Sequence, residues 1–377
     1  MPSRLRQLAK CGQSYWLDNL TRAMIRNGDL RRRITDDGLS GITANPTTFG
    51  QALKSGDYDQ DIVRFAREGR STEDIYEHLL VADVREACDL LHEVYESSGR
   101  VDGFVSLEVS PYLAHDSTGT VQEARRYWEA VKRPNLLIKV PGTKAGRFAI
   151  EQLLYDGISI NITLLFSLPA YEAVIEAYLA AMERRLAEQR PLEAVRSVAS
   201  FFLSRIDRLV DQLLLQRDVR GDAHPRSARL RGQAAVASAK LAYREFRQAF
   251  AGERWDRLSV KGAAVQRPLW ASTGTKDPHY SDVMYVEHLI GRDTINTMPE
   301  ATAKAFADHG QVQPNRIDEQ VEQAARTIHD LAQAGIELDC VAWQLEHEGV
   351  RQFIDAFDMA HEALEEKRRR AVLDPAA

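Results

Sequence analysis

The chain has 377 residues, 44% hydrophobic and 28% charged, an ordinary globular balance with ample length for a core. Disorder needs low hydrophobicity with high net charge, and collagen-like or low-complexity chains need a Gly/Pro period; 22 Gly and 13 Pro without one exclude both. A net charge of −6 draws in neither nucleic acid nor anionic membrane, so any anionic ligand needs a local cluster of cations.

Three scattered cysteines, Cys11, Cys88 and Cys340, make neither a disulfide framework nor a metal site, and a reducing compartment fits them. The N-terminal MPSRLRQLAKCGQSYW lacks an apolar core behind its charges and reads as no secretory signal. No apolar run approaches the roughly 18–20 residues of a membrane span. The expectation is a cytoplasmic protein.

In chain order, eight β-rich runs stand out. They are SYWLDNL (Ser14 to Leu20), GLSGITAN ending at Asn45, GFVSLEVS around Glu108 and NLLIKVP around Lys139. ISINITLL around Thr163, SVASFFLS around Phe202, RPLWAST ending at Thr273 and TINTMP ending at Pro299 follow. Helical patterns lie between them. One starts at the capping signal STED from Ser71, with Leu80, Val84, Ala87 and Leu91 along one face. Others cover Leu168 to Arg185, Gly232 to Phe250 and Pro314 to Ala334.

Strands alternating with helices predict βαβ units, and eight of them predict a closed (β/α)8 TIM barrel with additional helices and insertions. A doubly wound open sheet is the alternative. It is weakened because GLSG and GTKAG match no Gly-rich phosphate loop. Such a barrel takes about 250 residues, so the excess must be inserted. The clearest insertion is a basic loop and helix at about 217–267, including RDVRGDAHPRSARLRG. EEKRRRAVLDPAA reads as a helix end with a frayed tail. With neither repeat nor linker in sight, one elaborated domain is expected over 1–377.

Lys139 carries the most information. It lies between Ile138 and Val140 in a strand, so alternation turns it to the opposite face, into the barrel. Desolvation favours the neutral, nucleophilic amine, which can form a Schiff base with a carbonyl substrate. The bland alternative is a strand-end lysine in a salt bridge. Glu108, between Leu107 and Val109 one strand earlier, also points inward and fits the proton traffic of such chemistry. Its alternative is a structural ion pair.

Asp18 is either a second base or a turn cap. Asn45, before Pro46, either orients a substrate oxygen or makes an Asx turn. Thr163 is one inward hydroxyl more. For an anion, Arg205 at the end of one strand and Ser272 with Lys276 at the end of the seventh are candidates; loops after strands 7 and 8 often hold phosphate in such barrels. Ser200 and Phe202 share a face with one another. The histidines, His279, His288 and His309 among them, form no HExxH-type cluster, so no metal is expected.

Together, GQSYWLDNL, GITANPTTF, VSLEVSP, NLLIKVPGT, INITLLFS, SFFLSRID, RPLWASTGTK, DPHYSDVMYVEHLIG and TINTMPE resemble the transaldolase family, in its bacterial long single-domain branch. The matches run from Cys11 to about Glu300, and their order makes the combination specific. The resemblance implies a class I aldolase-like barrel that moves a dihydroxyacetone unit between sugar phosphates, in the pentose phosphate pathway and without a cofactor. The donor would be sedoheptulose 7-phosphate and the acceptor glyceraldehyde 3-phosphate. It also implies the roles. Lys139 would form the Schiff base, Glu108 would move protons through a water held by Thr163, and Asp18 would take the C4 hydroxyl proton. Asn45 would bind the dihydroxyacetone unit, and Ser200, Phe202, Arg205 and Ser272 would surround the sugar and its phosphate.

Two departures stand out. GTKAGR places Lys144 and Arg147 just past the lysine strand, where they would add charge near phosphate or acceptor. Shorter relatives carry an arginine near Ser272; here STGTK offers Lys276 in its place. Partners are then small sugar phosphates, with no nucleic acid or membrane, in a monomer or homodimer. The competing functions are a fructose 6-phosphate aldolase, a non-catalytic sugar-phosphate binder, and a nucleic-acid binder using the basic loop.

Overall fold

The computed structural model of the chain describes residues 3–220 and 227–373. Eight parallel strands close in sequence order into a barrel. They are β1 (Gln13–Leu17), β2 (Gly41–Thr43), β3 (Phe104–Glu108), β4 (Leu136–Pro141), β5 (Ile160–Leu165), β6 (Ser197–Phe202), β7 (Arg267–Ala271) and β8 (Thr294–Met298). This is the (β/α)8 architecture expected from the alternation, and each strand falls in one of the eight runs, β1 starting one residue early at Gln13.

Several boundaries moved. The first strand stops at Leu17, so Asp18 sits one residue past it, its N–H still bonded to the Met298 carbonyl at 2.9 Å. The helix expected from Pro314 begins only at Val321. A 3-10 turn at Arg316–Asp318 precedes it, and Asn315 and Gln320 have positive φ, which interrupts helical hydrogen bonding. The segment at about 217–267 divides. Its first residues belong to helix Ser204–Val219, and Ser227–Leu230, Ala234–Ala249 and Glu253–Ser259 are helical. Part of the basic loop, 221–226, lies outside the described residues. So do 374–377 of the expected frayed tail; the helix before them runs from Leu338 to Leu373.

Local chemistry explains the elements. Ser71 caps helix Thr72–Ser97 by accepting from Asp74 N at 3.1 Å, as STED predicts. Thr143 caps helix Lys144–Asp156 in the same way. There Gly146 is obligatory, because a Cβ would overlap the Pro141 carbonyl. Inside the barrel, the Trp16 indole occupies the space a Cβ on Gly41 would need. The outward strand faces and the helices' apolar stripes make one continuous buried cluster around the barrel. No helix among the described residues is long and apolar enough to cross a membrane.

Candidate active site

The period-two face of the strands decides what meets at the C-terminal mouth. In the parallel register Glu108 stands beside Lys139, Lys139 beside Asn161, and Pro141 beside Thr163. Lys139 is only 4% exposed. Its Nζ donates to Glu108 Oε2 at 3.0 Å and to the Ala44 carbonyl at 3.3 Å. The sequence left this pair open between structure and chemistry. A purely structural pair satisfies both carboxylate oxygens, since an orphaned buried acceptor costs about 1–3 kcal/mol. Here Glu108 Oε1 is buried with no partner among the described residues, and so is Thr163 Oγ1. Glu108 also borders a void of about 20 Å3 beside Tyr76, Ser110 and Tyr127, room for one water.

Asp18 closes the other side. Its Oδ1 accepts from Thr43 Oγ1 at 2.9 Å and from Asn45 Nδ2 at 3.5 Å. Thr43 Oγ1 lies 2.7 Å from Thr297 Oγ1. Asn45 shows the local, backbone-bonding reading of its amide, since its Oδ1 caps helix Pro46–Leu53 through Thr48 N while its Nδ2 faces Asp18 at the cavity. Burial pushes the Asp18 carboxyl up, opposed by the charge of Lys139 and the bond from Thr43. Burial pushes Glu108 up too, again opposed by Lys139. Both carboxyls are held closer to neutrality than a surface carboxylate, which suits groups that exchange protons.

These groups lie at and behind the wall of a cavity of about 560 Å3. Asp18, Asn45, Lys139, Ser200, Phe202, Arg205, Ser272 and Lys276 all line it, so eight of the ten candidates meet there; Glu108 and Thr163 lie behind the wall. Ser200 is turned to Asn161, donating to its Oδ1 at 2.7 Å. Ser272 and Ser204 hydroxyls pair at 2.9 Å. Lys144 and Arg147 do not line the cavity, contrary to the expectation that they add charge to it. They follow Thr143 in a helix that leads away from the mouth, and Lys144 is exposed.

Arg205 is held by rings, not by carboxylates. Its guanidinium lies 5.6 Å from the Phe202 ring and 5.9 Å from that of Phe353. Burial pushes its pKa down, as does the neighbouring charge of Arg208. Arg208 and Lys276 line the same cavity, and none of the three has an ion-pair partner among the described residues. Such a cluster in a barrel mouth is a ready site for an anion.

The model of the transaldolase/fructose-6-phosphate aldolase family matches residues 15–364. The chain belongs to this family. Transaldolase 2 of Nostoc sp. (strain PCC 7120) is 45% identical over 97% of each chain. The transaldolase of Thiobacillus denitrificans is 47% identical over 92% of this chain and 96% of its own. That of Parafrankia sp. is 43% identical over 97% and 98%. At that identity and coverage the chain is an enzyme, a transferase of transaldolase type.

Sequence reasoning missed several residues at or just behind the wall of this cavity. Asn161 shares the inward face of Thr163 at a spacing of two, so alternation held the signal. Arg208 follows Arg205 by three positions on one helix, a spacing that places both on one face. Thr43 and Thr297 are bland inward threonines until their contact with Asp18 is known. Gln352 and Phe353 come from the C-terminal helix, where a buried aromatic reads as ordinary core.

Proposed function

We propose that this transaldolase transfers a dihydroxyacetone unit from sedoheptulose 7-phosphate to glyceraldehyde 3-phosphate through a Schiff base on Lys139. The products are erythrose 4-phosphate and fructose 6-phosphate, as in the pentose phosphate pathway. The observation that carries the reading is the buried Lys139 amine on the cavity wall, 3.0 Å from a carboxylate whose second oxygen has no partner.

The Lys139 amine adds to the ketose carbonyl, and the carbinolamine loses water to become an iminium. Glu108 supplies and takes back the protons through a water held with Thr163; both have a buried oxygen free to bind it. Asp18 takes the C4 hydroxyl proton. The C3–C4 bond breaks, the aldose leaves, and the electron pair flows into the iminium to give an enamine. The enamine carbon then attacks the incoming aldehyde and the steps reverse. Asn45 holds the three-carbon unit, and Ser200, itself bonded to Asn161 behind it, lines the same wall. Arg205 grips the phosphate beside Ser272, and Lys276 and Arg208 supply further positive charge. As written, the scheme needs no metal or organic cofactor. The same reading takes the chain as one elaborated domain in the cytoplasm, as a monomer or homodimer.

The test is an assay with fructose 6-phosphate as donor, with and without erythrose 4-phosphate. Sedoheptulose 7-phosphate forming only with both substrates supports the transferase. Release of free dihydroxyacetone at the same rate without acceptor would make the enzyme an aldolase instead.

A further inference from the structure

The C-terminal helix is tied across the barrel mouth. Its buried positions Val341, Leu345, Gly349, Phe353, Ala356, Ala360 and Leu364 recur at steps of three and four and make one apolar stripe. Near the middle, Gly349 brings its backbone down onto β5. A Cβ there would lie 3.0 Å from Leu164 Cδ2 and 3.4 Å from an Arg205 guanidinium nitrogen. Leu164 itself has φ of +60°, a conformation that strains a leucine, and lies where the β5–β6 register shifts. Further contacts fix the helix C-terminal to this point. The Tyr112 hydroxyl donates to the Asp358 carboxylate at 2.8 Å, and Lys367 pairs with Asp59 at 2.7 Å. Tyr76 packs against Phe357 at 5.3 Å between centroids.

One turn past Gly349, this helix sets Phe353 into the cavity wall. The ring centroid is 5.8 Å from Lys139 Nζ and 5.9 Å from Arg205 Cζ, and the residue is 4% exposed. The ring therefore spans the distance from the reacting nitrogen to the guanidinium proposed for phosphate.

We propose that Phe353 is a specificity-determining residue that keeps water from the covalent intermediate and so holds the enzyme to transfer instead of hydrolysis. The inference rests on the Schiff-base reading above. In the unwanted step, the enamine takes a proton on carbon and becomes the iminium of dihydroxyacetone. Water adds to the iminium carbon and the C–N bond breaks. Dihydroxyacetone leaves with the water's oxygen as its carbonyl, and Lys139 recovers its amine. Release of the transfer product also needs one water at its iminium, so the two routes part at the enamine carbon: a proton delivered there by entering water leads to dihydroxyacetone, attack on the aldehyde leads to transfer, and an apolar ring over the site slows the first and not the second. The ring's negative face also favours a cationic nitrogen beside it.

The experiment compares wild type, Phe353→Leu and Phe353→Ala. Each is given fructose 6-phosphate, with or without erythrose 4-phosphate, and the ratio of dihydroxyacetone released to sedoheptulose 7-phosphate formed is measured. Phe353→Ala is expected to raise this ratio at least about tenfold, whereas Phe353→Leu, which keeps apolar cover, stays within about threefold of wild type. Phe353→Val gives the same reading with a smaller cavity should the alanine variant not fold. A ratio unchanged in the folded small variants, with both rates falling together, overturns the proposal and leaves the ring a packing residue. Failure of the parent reading looks different: wild type itself then shows no transfer and no borohydride-trapped adduct on Lys139, and the proposal falls with it.

Discussion

The two ends of one barrel bury charge in opposite ways. At the N-terminal end, the Arg267 guanidinium, with a side chain 8% exposed, is surrounded by acceptors. It donates to Val101 O at 3.0 Å, Asp102 Oδ1 at 3.2 Å, Ser14 Oγ at 2.6 Å and Thr294 O at 2.8 Å. Ser14 and Trp16 complete the shell of Asp102 at 2.6 Å and 3.2 Å. At the C-terminal end, Glu108 and Thr163 keep oxygens without a partner among the described residues, and Arg205 is braced by two aromatic rings. In this plug at the barrel floor both terminal nitrogens of Arg267 find acceptors in the fold, and only its Nε goes without one among the described residues. Charge whose bonding capacity is left open at a cavity is available to a substrate.

Substitutions at the two ends should therefore separate turnover from stability. The largest effect is expected for Lys139→Ala, which removes the nucleophile; transfer should fall at least about 10^4-fold, more than about 5 kcal/mol of barrier. The fold should survive, because burial already pushes the Glu108 carboxyl towards its neutral form. Wild-type-like steady-state rates in that variant remove Lys139 from the mechanism. Arg267→Met should do the reverse. It strands Asp102, so unfolding free energy in urea should drop by about 3–5 kcal/mol while the rate per folded molecule stays within about twofold. A large loss of rate with intact stability would show that the plug is part of the chemistry.

Arg205→Met comes next. Loss of charge-assisted bonds of about 1.5–3 kcal/mol should raise KM for fructose 6-phosphate about 10- to 100-fold. Lys276→Met and Arg208→Met should each cost less, being nearer the rim. Equal KM values across the set would mean that the phosphate is held elsewhere.

The smallest effect concerns Asp207, below the cation cluster. Burial pushes its carboxyl up to about 7, against bonds from Ala235 N and the Tyr285 hydroxyl. Between about pH 4, where an unfolded aspartate titrates, and pH 7, the folded carboxyl keeps a proton that the unfolded chain has released. Its stabilisation is thus fully present below about pH 4 and is lost as pH rises through about 7. Asp207→Asn should flatten that decline and raise Tm at pH 8 by about 1–4 °C. Parallel Tm–pH curves for variant and wild type would assign the slope to other groups.

The two ends also differed in legibility. Strand–helix alternation exposed the barrel, and a lysine and a glutamate flanked by aliphatic residues betrayed Lys139 and Glu108. Alternation fixes which face a side chain takes, so these survived as found. Strand ends were less visible, since Asp18 and the short β2 depend on pairing across the barrel. The roof residue Phe353 was invisible, because it reaches Lys139 from the far end of the chain on a helix whose apolar stripe looks like any other. The plug went unread for the same reason: Arg267 opens a strand as arginine often does, and only closure brings Asp102 and Ser14 to it.

The central claim is covalent chemistry at one lysine, and borohydride trapping with fructose 6-phosphate followed by peptide mass mapping tests it most directly. A stable adduct on the peptide bearing Lys139, absent from Lys139→Ala, is the predicted result. No adduct on the folded enzyme, or an adduct on another lysine such as Lys240, would contradict it.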